Sequence, residues 1–183
     1  MTHDASQSLA ALRVLVVDCQ ATAASPGKGH LFEVAWADVD GTNEAQIEST
    51  RVALPAGETI PKRVTQLTGV RTTDLRNSPS YEKAAESLTE KLSEWPGELF
   101  VAHWARYEQP WFRDMLSADF DWICTHDLAR RLIPGLPRKG LRAVAGYLGR
   151  PLLDTKGAHD HVDATIYVWR ELVGLLAEEG VET

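Results

Sequence analysis

Apolar and polar positions along the first third of the chain are typical of β-strands. Residues 12–17 are apolar on both faces and end at Asp18, which predicts a buried central strand. A second strand is predicted over residues 30–40, and an Asp-Gly pair at its end favours a hairpin turn. A third strand is predicted over about residues 45–54, so this region is expected to form a β-meander.

Beyond residue 60 the apolar positions recur with the period of α-helices. The predicted helices cover residues 64–67 (ended by Gly69), 81–94 (with Ser80 as N-cap), 108–116, 127–132, 141–148 (capped by Gly149) and 162–177, and short strands are predicted over 99–102 and 122–124. This order predicts an α/β fold with a mixed five-stranded sheet flanked by helices. We assign residues 12–176 to one domain, preceded by an N-terminal extension (1–11) and followed by an acidic tail (177–183).

The composition is that of one globular domain. The chain has 183 residues, of which 44% are hydrophobic and 25% are charged. Two cysteines, Cys19 and Cys124, are too few for a disulfide framework, and both are expected to be small buried thiols. The N-terminus has no basic region followed by an apolar one, and no apolar run is long enough to span a bilayer. A cytoplasmic location without membrane association is therefore expected.

The net charge of −7 argues against a protein that coats nucleic acid, but it is compatible with a site built from carboxylates and metal ions. Basic residues form two local groups: Arg130, Arg131, Arg138, Lys139 and Arg142 in one, and Lys62, Arg63, Arg71 and Arg76 in the other. Each group is either a solvated face or a set of phosphate contacts.

Three short segments place acidic residues where a strand ends or a helix begins. In the first, Asp18 and Gln20 follow the central strand, and alternation puts them on the same face. Ligands bind at such strand ends in open α/β sheets, and two oxygen-bearing side chains can share a hard cation. The alternative is a strand-end turn in which Asp18 only caps the backbone.

The second segment, residues 101–108, runs from a short strand into a helix with Glu108 in its first turn, where an acid also complements the helix dipole. The third segment brings His159, Asp160, His161 and Asp163 to the start of the last helix. The alternative for this third segment is that Asp160 is an N-cap and Asp163 its capping-box-like partner.

The order and spacing of these segments resemble the DnaQ-like family of 3′–5′ exonucleases, of the DEDDh type with an RNase H-like fold. The match includes residues 60–61, 67–70 and 124–132, and it covers about residues 12–176. The resemblance implies hydrolysis of phosphodiester bonds by two Mg²⁺ or Mn²⁺ ions held by four carboxylates, with a histidine that activates the attacking water.

Carried over position by position, the resemblance makes Asp18, Glu108 and Asp163 metal ligands. It places Thr22 at the end of the first motif. Residues expected to contact nucleic acid are Thr22, His103, Trp104 and Arg106, of which Trp104 can stack on a base.

The chain departs from the family pattern at three positions. Gln20 replaces a glutamate and carries no charge, either as a natural replacement or as an introduced one. Glu108 replaces an aspartate, which moves the carboxylate outward by one bond. The family histidine falls at Ala158, so His159 is the first candidate for the base and His161 the second.

These residues support three hypotheses. The first is an exonuclease that shortens single-stranded DNA or RNA from the 3′ end and is impaired by Gln20. The second is an inactive module that grips a nucleic-acid end, and the third is a protein-interaction domain that keeps the fold. The expected partners are a single-stranded 3′ end and possibly a larger nucleic-acid-processing complex.

Overall fold

The computed structural model describes residues 12–178 except 42, 96 and 98, so the predicted extension and most of the predicted tail lie outside the described residues. Within this range the strands are β1 (Arg13–Ala21), β2 (Leu31–Asp40), β3 (Ile47–Arg51), β4 (Leu99–Ala102) and β5 (Asp121–Cys124). The helices are α1 (Lys62–Thr68), α2 (Tyr81–Ser93), α3 (Ala105–Leu116), α4 (Thr125–Leu132), α5 (Leu141–Tyr147) and α6 (Ala158–Glu178). One short 3-10 turn lies between α1 and α2.

The strands form one mixed five-stranded sheet, as predicted, and their order is β3-β2-β1-β4-β5. The β1–β2 and β2–β3 pairs are antiparallel, whereas the β1–β4 and β4–β5 pairs are parallel. The carboxyl ends of β1, β4 and β5 therefore meet at one edge of the sheet, together with the start of β2. This edge, which we call the functional edge, is where open α/β sheets bind ligands.

Helices cover both faces of the sheet. On one face α2 and α3 pack on alternate residues of β1 that include Leu15, Val17 and Cys19. On the other face α6 packs on Val14 and Val16. Because side chains alternate along a strand, Asp18 and Gln20 continue the row that faces α6. Asp18 and Gln20 thus lie beside the first turn of the last helix.

Four helices begin earlier than predicted. Helix α1 starts at Lys62 rather than 64, α3 at Ala105 rather than 108, α4 at Thr125 rather than 127, and α6 at Ala158 rather than 162. Strands β4 and β5 pass into α3 and α4 with two or no connecting residues, and the added first turns are rich in polar side chains. Hydrophobic periodicity does not mark such turns, so it placed the starts too late.

The start of α6 is set by a contact with the sheet. The backbone N–H of Ala158 donates to Glu33 Oε2 on β2 at 2.9 Å, just after Gly157 with φ 104°. Asp160 is therefore the third helical residue, and its Oδ2 accepts from the backbone N–H of Lys156 at 3.2 Å. The interpretation of Asp160 as the N-cap of this helix is wrong.

Two other local predictions are confirmed, and two elements differ from the prediction at their ends. Gly69 ends α1 with φ 78°, and its N–H bonds to the carbonyl of Thr65. Ser80 caps α2 by accepting from the N–H of Lys83. Strand β3 is shorter than predicted at both ends. Helix α5 ends one residue before its predicted end.

The two cysteines are free thiols, as expected, but only Cys19 is buried, whereas Cys124 is half-buried at the end of β5. In the part of the chain that the structure describes, no helix has the length and apolarity needed to cross a membrane.

We expect Phe100→Ala to lower the free energy of unfolding by about 3–5 kcal/mol, because Phe100 is fully buried in an aromatic cluster. Its ring stacks on Phe120 at 4.2 Å and contacts Trp122 at 5.1 Å between centroids. Leu153→Ala is the control, since that side chain is 82% exposed and should change stability by less than about 0.5 kcal/mol. Equal losses in urea unfolding would show that Phe100 does not anchor this face.

Candidate active site

Strand β1 delivers Asp18 to the functional edge. Asp18 is buried, and the amide of Gln20 donates to its Oδ2 at 3.0 Å. The pairing of β1 with β2 shifts register between Gln20 and Ala21, directly after these two residues. Such bulges are common beside functional sites because they redirect side chains.

Helix α6 brings His161, not His159, to these side chains. His161 Nδ1 lies 3.4 Å from Asp18 Oδ2 and 3.2 Å from Gln20 Nε2. The side chain of His159 is 55% exposed, with its Nδ1 3.6 Å from Asp160. The early start of α6 explains the difference, because a helical first turn directs residues two apart to different sides.

Asp18 and His161 each favour the charged form of the other side chain. Burial raises the pKa of Asp18 above its usual range, while the hydrogen bond and charge of His161 oppose that rise. Burial lowers the pKa of His161, but the hydrogen bond and charge of Asp18 outweigh burial and raise it above the usual value. A neutral residue at position 20 leaves Asp18 as the one carboxylate in contact with this ring among the described residues.

Glu108 is a second buried carboxylate beside Asp18. It is 4% exposed, and its Oε2 has no hydrogen-bond partner among the described residues. Burial and the charge of Asp18 raise the pKa of Glu108 well above its usual range. A buried, unpartnered carboxylate oxygen close enough to another acid to sense its charge is of the chemical type that a hard divalent cation prefers as a ligand. Asp18 and Glu108 are therefore the two buried carboxylates that could supply oxygen ligands to a metal ion.

Asp163 is held by an ion pair on the surface of α6. Its Oδ2 contacts the guanidinium of Arg150, which also lies 5.5 Å from the ring centre of Tyr167. The side chains of Arg150 and Asp163 are 40% and 45% exposed, so the pair contributes at most about 1 kcal/mol. The structure thus does not join Asp163 to Asp18 and Glu108, although little energy holds it to Arg150.

Thr22 and His103 make hydrogen bonds within the domain. Thr22 Oγ1 accepts from the backbone N–H of His30 at 2.8 Å, which closes the loop after β1, and Thr22 also lines a cavity of about 830 Å³. His103 is buried between Thr125 Oγ1 at 2.9 Å and the carbonyl of Lys139 at 2.8 Å. Because a carbonyl only accepts, Nε2 carries the proton and Nδ1 accepts from the threonine hydroxyl. Neither ring nitrogen of His103 is left for a phosphate.

Trp104 and Arg106, in contrast, are exposed beside the functional edge. The indole of Trp104 packs edge-on against the ring of His126, with 4.3 Å between centroids. Both side chains are thus available to a ligand from solvent.

A profile of the family described as Exonuclease (RNase_T) matches residues 15–165. The chain belongs to the DnaQ-like exonuclease family. DNA polymerase III subunit epsilon of Aquifex aeolicus (strain VF5) is 26% identical to this exonuclease domain over 159 residues, which cover 83% of the chain and 75% of that protein.

Solved structures confirm the RNase H-like exonuclease fold. Exonuclease X in complex with 5′ overhanging duplex DNA matches with a TM-score of 0.65 and 20% identity, covering 91% of this chain and 93% of that one. The zinc-bound complex of E. coli exonuclease I with single-stranded DNA matches with a TM-score of 0.75 and 15% identity, covering 91% of this chain and 40% of that one. At these identities the likeness shows the fold alone.

One residue of this exonuclease domain that pattern reasoning missed is Glu33. It lies directly opposite Gln20 in the β1–β2 ladder, so both side chains share a face. Its carboxylate accepts from Ala158 and lies 3.7 Å from Arg51 Nε. The signal was present in the sequence: Glu33 is a single acid within an otherwise apolar strand segment.

We expect acid to destabilise the exonuclease domain through His103. Burial lowers the pKa of this histidine from 6.5 to about 4, so the folded state favours the neutral form of the ring. Its contribution is fully present above pH 6.5 and is lost as the pH falls towards 4, by roughly 2–3 kcal/mol at pH 4.5. Urea unfolding at pH 7 and 4.5 should therefore show a smaller acid loss in His103→Gln than in the native sequence. An equal acid loss in both proteins would exclude this origin.

We also expect Glu108→Gln to stabilise the metal-free domain at neutral pH by about 1–3 kcal/mol, because it removes a buried unpartnered charge. The raised pKa of Glu108 means that its ionisation costs stability as the pH rises above about 4.3, so the advantage of the variant should grow with pH. Thermal unfolding with and without Mn²⁺ measures both effects.

In that measurement Mn²⁺ should raise the melting temperature of the native sequence more than that of Glu108→Gln. Glu86→Gln, at an exposed position on α2, is the matched control and should behave like the native sequence. A Glu108→Gln protein that is less stable than the native one without metal would contradict the assignment.

Proposed function

We propose that this domain removes nucleotides from the 3′ end of single-stranded DNA or RNA by metal-dependent hydrolysis. The observation that carries the proposal is the buried, unpartnered carboxylate of Glu108 beside Asp18, with His161 in contact with the same aspartate. A domain selected only for stability has no use for two facing buried acids, since each disfavours the charge of the other. Functional sites are where such costs are retained.

The proposed ligands of Mg²⁺ or Mn²⁺ are Asp18 and Glu108, joined by Asp163 when it leaves Arg150. When bound, two divalent ions activate water and stabilise the charge on the attacking and leaving oxygens of an in-line displacement. The weak, exposed pair between Asp163 and Arg150 supports this supply of a third carboxylate, because its disruption costs little. Gln20 contributes a neutral oxygen at most.

His161 is the proposed general base. Its Nδ1 faces Asp18 and Gln20, so Nε2 is the nitrogen left to accept a proton from water. The two contacts of Nδ1 exclude each other. When protonated, Nδ1 donates to Asp18, and Nε2 of the neutral ring is then free to act as the base. When Nδ1 instead accepts from the amide of Gln20, the neutral ring carries its proton on Nε2 and cannot act.

Gln20 therefore impairs the proposed site in two ways. It removes one anion from the cation site, and it stabilises the tautomer of His161 that does not accept a proton at Nε2. A glutamate at position 20 reverses both effects, because a carboxylate only accepts and would receive the Nδ1–H of His161. This is the physical basis for expecting Gln20→Glu to raise activity.

The relatives support the proposed substrate class. The solved structures of exonuclease I and exonuclease X hold single-stranded DNA and 5′ overhanging duplex DNA, and the epsilon subunit is named as part of a DNA polymerase. We extend this to a nucleic-acid end here, with Trp104 and Arg106 as exposed contacts for a base and a phosphate. A larger nucleic-acid-processing complex is a natural setting for such a domain.

A second candidate function is binding of a nucleic-acid end without cleavage. The neutral Gln20 and the Asp163–Arg150 pair favour it, since they leave only two carboxylates facing each other. Retention of the buried Glu108 charge favours cleavage.

The test is digestion of a 5′-labelled single strand in Mn²⁺ and in Mg²⁺ by the native sequence, Gln20→Glu and Asp18→Ala. We expect Gln20→Glu to shorten the strand from its 3′ end at least about tenfold faster than the native sequence, which corresponds to 1.36 kcal/mol of barrier. Asp18→Ala should be inactive. If neither the native protein nor Gln20→Glu cuts, but both retard the strand in a binding assay, the end-binding function replaces the enzyme.

The two histidines provide an internal comparison in the Gln20→Glu background. Loss of a general base lowers the rate by about 10²–10⁴-fold, so His161→Ala should be far slower than His159→Ala. The opposite order would assign the base to His159, as the family spacing alone suggested.

A further inference from the structure

A second group of metal-binding side chains lies where β5 passes into α4. Cys124, His126 and Asp127 each offer one donor atom, and the three donor atoms lie within 4.8 Å of one another. His126 Nδ1 and Asp127 Oδ1 are 3.5 Å apart. None of these residues belongs to the proposed catalytic set, and the exonuclease proposal does not use them.

We propose that Cys124, His126 and Asp127 bind one divalent transition-metal ion of the zinc class. Thiolate, imidazole and carboxylate are the ligands that zinc selects, whereas Mg²⁺ and Ca²⁺ select oxygen alone. Bonds of about 2.0–2.3 Å in a tetrahedron put donor atoms about 3.3–3.8 Å apart. The observed separation of His126 and Asp127 is within that range, and the upper bound of 4.8 Å requires a movement of only about 1 Å.

The local fold presents the three side chains together. Cys124 is the N-cap of α4, and His126 and Asp127 follow in the first turn. The intervening Thr125 is fully buried and bonded to His103, which fixes the backbone between the ligands. Backbone N–H groups of Ala105, His126 and Asp127 also point at the sulfur and favour its thiolate.

Charge and space also suit an ion at this position. The Cys124 thiol donates to the carbonyl oxygen of His103 at 3.4 Å, and a bound ion would displace the proton of that contact. The carboxylate of Asp127 also lies 3.7 Å from the guanidinium of Arg130, and both side chains are partly exposed. Thiolate and carboxylate together neutralise a divalent ion, which therefore does not repel the guanidinium groups nearby.

The three residues share a cavity of about 80 Å³ with Trp104, Arg106 and Arg130. A water molecule takes about 30 Å³, so the cavity holds an ion with one or two waters. Three protein ligands plus a water is the arrangement of open zinc sites. The indole of Trp104 against the ring of His126 shields one side of this position. Bound metal would thus hold the ring of His126 in place against the exposed Trp104 beside the functional edge.

The decisive experiment is a titration of the metal-stripped, reduced full chain with cobalt(II), which replaces zinc and reports sulfur ligation by a charge-transfer band in the near ultraviolet. We expect one equivalent of cobalt to produce the band and zinc to abolish it. Cys124→Ala should lose the band and bind zinc on the order of 100-fold more weakly, since loss of an outer partner alone costs about 10–100-fold. Cys19→Ala is the matched control and should keep the band.

Further variants separate this site from the proposed catalytic one. Asp18→Ala should keep the sulfur band even if it abolishes nuclease activity, whereas His126→Ala and Asp127→Asn should weaken it. Circular dichroism and melting temperatures of metal-free variants report whether each is folded, and Asp127→Asn keeps the shape of the side chain. Cobalt that binds the native protein without a sulfur band, or a band that persists in Cys124→Ala, would overturn the proposal.

Discussion

The functional edge depends on two buried carboxylates, Asp18 and Glu108, each of which disfavours the charged form of the other. Strand β1, enclosed by β2 and β4 and buried on both faces, delivers Asp18 there, while α3, anchored by Trp111 and Phe112, delivers Glu108 from the opposite face of the sheet. Neither element can withdraw without disrupting the core. The electrostatic cost is therefore retained in the folded state and is relieved by protonation or by an ion. The neighbouring histidine relieves part of it, because His161 contacts Asp18.

The strands and most helices follow from periodicity, since burial of apolar faces decides them, and the mixed five-stranded sheet agrees with that expectation. The same reasoning could not choose between His159 and His161. That choice depends on where α6 begins, and its start is determined by a hydrogen bond from Ala158 to Glu33, which is 125 positions away in the sequence. No local pattern contains such a contact. The pair between Asp163 and Arg150 is also tertiary and was missed for the same reason.

For some site residues the amino-acid type alone predicted the role, and for others it did not. Asp18 and Glu108 have few stable roles once buried, so their positions in the family pattern were informative. His103 is different, because a buried histidine can be satisfied by two neutral hydrogen bonds, as it is by Thr125 and Lys139. A motif position alone could not distinguish this internal link from a contact with a phosphate. Trp104 and Arg106, in contrast, are exposed in the structure and are therefore open to contact with nucleic acid.

Glu33 on the adjacent strand does not replace the negative charge that is missing at Gln20. Its carboxylate lies opposite Gln20 but is used by the N-terminus of α6 and by Arg51. An ion held as proposed by Asp18 and Glu108 would therefore have fewer protein anions than the family pattern supplies. Divalent ions bound by only one or two carboxylates complete their shell with water and substrate phosphates. Metal and nucleic acid should then bind this domain together more tightly than either binds alone, which makes the nucleic-acid end itself a part of the cation site.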